Sequence, residues 1–121
     1  MGLDMYAMTT KRRHKSSVDF VVGKADQQIF YWRKHPNLHG WMEELYRAKG
    51  GTDVFNCTTV ALTSDDLDEL EAVIRNGNLP DTSGFFFGES DGSEVEDDLS
   101  FIATARNALG KNLTVYYRAW W

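Results

Sequence analysis

The chain has 121 residues, enough for one domain whose hydrophobic core needs no disulfide or metal staple. Its single cysteine, Cys57, excludes an intrachain disulfide and a cysteine zinc cluster, and no apolar run approaches the ~20 residues that span a bilayer. The net charge of −5 argues against a general nucleic-acid binder.

The elements are read from periodicity and punctuation. Gly2 to Thr10 alternates, with Leu3, Met5 and Ala7 on one side and Asp4, Tyr6 and Met8 on the other, which predicts a strand. KRRHK (Lys11 to Lys15) is a basic loop, and Val18 to Gly23 is a candidate second strand. Pro36 suits a first helical turn. Leu38, Trp41, Met42, Leu45 and Tyr46 then recur as a one-sided stripe, which Gly50–Gly51 ends. Asp53 to Thr63 is rich in β-branched residues and predicts a strand that buries Cys57 as a structural thiol. Thr63 or Ser64 caps a second helix with the stripe Leu67, Leu70, Val73 and Ile74. Ser93 and Glu96 have capping-box spacing, opening a third helix with Val95, Leu99, Ile102 and Leu109 inward. Leu113 to Trp121 alternates as a last strand. The sum is one α+β domain spanning 1–121, with about three helices on a small antiparallel or mixed sheet.

Few constellations carry chemistry. His35 and His39 are four apart, but Pro36 makes His35 pre-helical and no HExxH is present, so no metal and no cofactor is expected. The acidic run Gly88 to Asp98 puts Phe87 where a calcium loop needs a carboxylate, so it reads as a solvated loop. Ser83–Gly84 is not a nucleophile elbow. Asp97 and Asp98 are adjacent on a helix and do not face one another.

The strongest cluster is Asp4, Tyr31, Trp32, Arg33, Lys34 and His39. Arg33 and Lys34 offer donors for a carboxylate or phosphate, and Tyr31 and Trp32 offer flat faces. The plainer alternative is an Asp4–Arg33 ion pair sealed by aromatics. The turn Ser83, Gly84, Phe85 is expected to close over the same place. A second candidate is an interaction surface of Tyr116, Tyr117, Arg118, Trp120 and Trp121, suited to a protein partner or to a second copy of the chain.

Four phrases in order, GLDMY at 2–6, YWRKxxxLHxW at 31–41, LPxxSGFFFG at 79–88 and YYxxxW at 116–121, resemble a family of small bacteriophage and bacterial proteins. Members often carry the name phosphoglycerate kinase. That enzyme closes two domains around its substrates, which 121 residues cannot supply, and no phosphate-binding GxxxxGK[ST] loop is present. The resemblance implies a phage accessory protein that binds a host or phage protein in the host cytoplasm. An anionic metabolite or nucleotide held by Arg33, Lys34 and His39 is the alternative. Nucleic acid through Lys11 to Lys15 ranks last.

Overall fold

The computed structural model describes residues 2–84 and 87–121. Three helices pack on one face of a four-stranded antiparallel sheet, a single small α+β domain. The strands are β1 (Asp4–Thr10), β2 (Gln27–Arg33), β3 (Thr59–Leu62) and β4 (Thr114–Trp120), in the order β2-β1-β4-β3. The helices are α1 (Pro36–Ala48), α2 (Ser64–Arg75) and α3 (Val95–Gly110). No helix among the described residues is long and apolar enough to cross a membrane.

The two central strands come from opposite ends of the sequence, with Asp4 paired to Trp120 and Thr10 to Thr114. Period-two alternation sends Met5 and Ala7 of β1, and Val115, Tyr117 and Ala119 of β4, toward the helices. They meet Leu38, Met42 and Tyr46 of α1, Leu67, Leu70 and Ile74 of α2, and Phe101, Ile102 and Ala105 of α3. α2 begins as its sequence predicts: Thr63 and Asp66 form a reciprocal cap. Gly40 lets α1 lie directly against Thr82, where a Cβ would overlap the threonine side chain.

Several elements differ from the sequence reading. Val18 to Gly23 forms no strand. Val18 alone bridges Val60, with backbone bonds from Asp19 to Thr59 (3.0 Å) and Ala61 to Ser17 (2.8 Å) shielding the β3 edge. The strand expected over 53–63 shrinks to Thr59–Leu62, because the preceding residues turn to plug Phe55 into the core. Cys57 is exposed, not buried: it sits at φ 61°, with its N–H donating to the Ala119 carbonyl at 2.8 Å. Ser93 does not form the expected box, because its hydroxyl donates to Asp91 at 2.6 Å. On α3 Ile102 is buried and Leu99 and Leu109 pack against the core as expected, Asp98, Phe101, Ala105 and Ala108 complete the inner face, and Val95 is exposed.

Residues 11–26 leave β1, cross the outer face of the sheet and return into β2. Phe20 packs edge-on against Tyr116 at 5.1 Å, and Asp26 accepts the Tyr116 hydroxyl at 2.8 Å. This excursion covers the Thr10 end of the outer face. The Asp4 end is left open.

Phe101, fully buried, meets Phe30 and Trp32 at 5.8 and 4.8 Å and so joins α3 to β2. Phe101→Ala is expected to cost about 3–5 kcal/mol, read as a lower urea midpoint at unchanged slope.

Candidate functional site

The six residues of the predicted cluster divide between two sides of the sheet. Strand alternation is the reason: Tyr31 and Arg33 project outward, and Trp32 between them projects into the core. On the outer face Asp4 accepts from the Tyr31 hydroxyl at 2.6 Å and from Arg33 at 3.0 Å. The bond to Asp4 holds the Tyr31 phenol above its ordinary value. Tyr6 packs beside Tyr31 with ring centroids 5.4 Å apart. The Asp4–Arg33 pair thus forms, at the surface rather than inside.

Lys34 ends β2 in the left-handed region at φ 56°, its N–H donating to the Leu3 carbonyl at 2.8 Å. A non-glycine residue there carries strain of about 1–3 kcal/mol, held by the surrounding structure. His39 is not part of the cluster. It is buried on the helix side, 2.7 Å from the Tyr117 hydroxyl and ringed by Phe55 and Phe87. Burial depresses its pKa to about 4, so the imidazole is neutral at pH 7.

Ser83 and Gly84 are exposed, and Phe85 lies outside the described residues. Phe87 turns into the core against His39 and Trp121 at 5.3 Å each. The residues of the expected interaction surface differ in exposure. Trp120 is 60% and Trp121 40% exposed, and Arg118 is half-buried. Tyr116 and Tyr117 are wholly buried, because both faces of β4 are covered at their level, by Phe20 outside and by His39 and Phe55 inside. Trp121 is pinned, its indole donating to the Phe55 carbonyl at 2.8 Å and its backbone clasped by Asn56. Trp120 beside it projects freely.

A second constellation is not anticipated by the sequence reading. Asp98, 1% exposed on α3, accepts from the Trp32 indole at 3.1 Å and from His35 Nε2 at 2.9 Å. His35 Nδ1 lies 2.7 Å from Ser90 Oγ, which also accepts the Asn37 backbone N–H at 3.1 Å. Glu94 stands 4.0 Å from the same Nδ1. His35, Asn37, Ser90, Glu94 and Asp98 border a cavity of about 210 Å³ between the starts of α1 and α3 and the end of α2. The signal available beforehand was Asp98 itself, a carboxylate three and four residues before Phe101 and Ile102 on the apolar stripe. Asp97, its neighbour, is exposed. Among the described residues no three His, Cys, Asp or Glu side chains converge as a metal site.

No family model matches the chain, and no curated protein or solved structure matches it significantly.

Two outcomes follow from this geometry. Between pH 6.5 and 4 the unfolded chain takes up a proton at His39 that the folded chain refuses, so stability is full above pH 6.5 and falls as the pH drops. By pH 4 the loss from this group is about 3 kcal/mol, and the urea-stability difference between wild type and His39→Gln should change by that amount across the window. Arg33→Ala, by contrast, should leave the unfolding midpoint close to the wild-type value, since an exposed ion pair contributes little.

Proposed function

We propose that this is a binding protein that docks a partner protein on the open end of its outer sheet face. The observation that carries the reading is the group Tyr6, Tyr31, Arg33, Arg118 and Trp120, an aromatic and guanidinium surface that neither a helix nor the 11–26 excursion covers. Tyr, Trp and Arg are the residues that dominate the energetics of protein interfaces. Tyr31 is held in place by its hydroxyl bond to Asp4, so little of its side-chain freedom is lost on binding.

Charge indicates the partner's chemistry. Residues 1–34 hold seven Lys or Arg against three Asp, whereas residues 35–121 hold six against fifteen acids. The first segment supplies β1, β2 and the 11–26 excursion, and the second supplies β3, β4 and all three helices. Arg33 is neutralised by Asp4, and Arg118 makes no ion pair among the described residues. A partner segment that brings a carboxylate to Arg118 and an apolar side chain to Trp120 completes the surface. Asp4, at the centre of the patch, disfavours a phosphate chain. The resemblance to small phage proteins belongs with this reading: a phage accessory protein that works by contact with a host or phage protein in the host cytoplasm.

The test is a parallel affinity capture with wild-type, Trp120→Ala and Arg118→Glu baits, each first shown folded by circular dichroism. Support is one protein that the wild type retains, that rebinds when purified, and whose affinity falls at least tenfold with each variant. Equal retention by all three baits overturns the assignment. So does retained material that is nuclease-sensitive with a steep salt dependence, or self-association of the wild type with no second protein.

A further inference from the structure

We propose that Ser90, His35 and Asp98 form a nucleophile–base–acid relay that cleaves small carboxylic esters in the cavity beside the start of α1. The proposal is independent of the sheet-face reading, since the two sites share no residue.

The chain of contacts is continuous. In the His35 tautomer whose Nε2–H donates to the Asp98 carboxylate at 2.9 Å, Nδ1 carries the lone pair and stands 2.7 Å from the Ser90 hydroxyl, placed to accept its proton. This is the arrangement that activates a weak hydroxyl nucleophile: a base within hydrogen-bond reach, itself oriented by a third group. The ring is turned relative to the commonest serine hydrolases, where the carboxylate holds Nδ1. Either nitrogen can serve as base once the other is fixed. Asp98 is fixed in turn by the Trp32 indole at 3.1 Å, and it is 1% exposed, so its charge is directed at the imidazole and not dispersed into water. The strained Lys34 immediately precedes His35 and bends the chain out of β2 into this position.

The step balances with water as the only co-reactant. Ser90 Oγ bonds to the ester carbonyl carbon as its proton passes to Nδ1, and the carbonyl π electrons move onto oxygen. Collapse of that intermediate breaks the ester C–O bond, and the leaving alcohol takes the proton from Nδ1. Water then adds to the acyl group, its proton going to Nδ1. The carboxylic acid departs and Ser90 regains its proton. Asn37 donates its backbone N–H to Ser90 Oγ at 3.1 Å, which holds the nucleophile, and its side chain is the donor for the oxyanion. Its side-chain oxygen is occupied by the Thr82 N–H at 3.0 Å, which leaves the side-chain nitrogen for the cavity.

The cavity also sets the substrate class. About 210 Å³ admits a short acyl chain and not a long one, and Ile74 and Leu79 give it an apolar wall. Glu94 stands 4.0 Å from Nδ1, and Asp98 lies behind the ring. Two carboxylates at the nucleophile repel an anion, so the substrate is uncharged or cationic.

The full-length protein is to be treated with a fluorophosphonate and analysed by peptide mass spectrometry, with p-nitrophenyl acetate hydrolysis followed alongside. The expected result is a single adduct on Ser90, lost in Ser90→Ala and reduced at least tenfold in His35→Ala and Asp98→Asn. Ser90 also caps α1, so these variants risk losing the fold. Ser90→Cys covers that case: the introduced thiol should react with iodoacetamide at pH 7 at least tenfold faster than exposed Cys57 in the same molecule. Folded wild type without an adduct on Ser90, or an introduced thiol no faster than Cys57, overturns the proposal and leaves Ser90 as a helix cap.

Discussion

A carboxylate removed from water must be paired, or it costs several kcal/mol. Asp98 is such a group, and its partners organise the molecule. The indole of Trp32 ties it to β2, and the imidazole of His35 ties it to the start of α1. Ser90 extends the chain to the loop before α3. Strand, helix and loop therefore meet at one buried charge, and the cavity exists because their ends converge there. An apolar residue at position 98 would pack α3 against the sheet equally well. It would not fix the angle at which α1 leaves β2, since that angle is held by directional bonds.

The same arrangement separates the two faces of the sheet. Trp32 turns inward to reach Asp98, and Tyr31 and Arg33 consequently turn outward to meet Asp4. A run that reads as one aromatic and basic cluster in the sequence thus supplies two different sites. One is buried and polar, with an imidazole facing a serine. The other is open, with rings and guanidinium groups on a rigid sheet.

The parts of the fold legible in the sequence are those governed by local periodicity. β1, α1, α2 and β4 each carry a clean repeat and a recognisable start or stop, and the α+β class follows from them. The parts that escaped depend on the rest of the chain. Val18 to Gly23 has strand-forming residues but forms a β-bridge only at Val18, with one more backbone bond to β3 from Asp19. Tyr116 and Tyr117 alternate correctly, yet a distant loop covers the outward one, so alternation no longer predicts exposure. Ser93 has the spacing of a cap, but Asp91 lies closer and takes its hydroxyl. Of the two sites, the Asp4–Arg33 pair was readable because β1 and β2 are near in sequence. The Asp98 network was not, because His35 and Ser90 stand 55 residues apart and nothing local links them.

The pairing of β1 with β4 has a consequence for how the chain is made. β1 leaves a ribosome before its neighbour β4, with β2, β3 and all three helices between them. Until residue 120 has emerged, β1 can pair only with β2, and a two-stranded ribbon is marginal by itself. Most of the polypeptide must therefore wait unassembled during synthesis, its apolar strand available to chaperones, and the sheet closes in one late event.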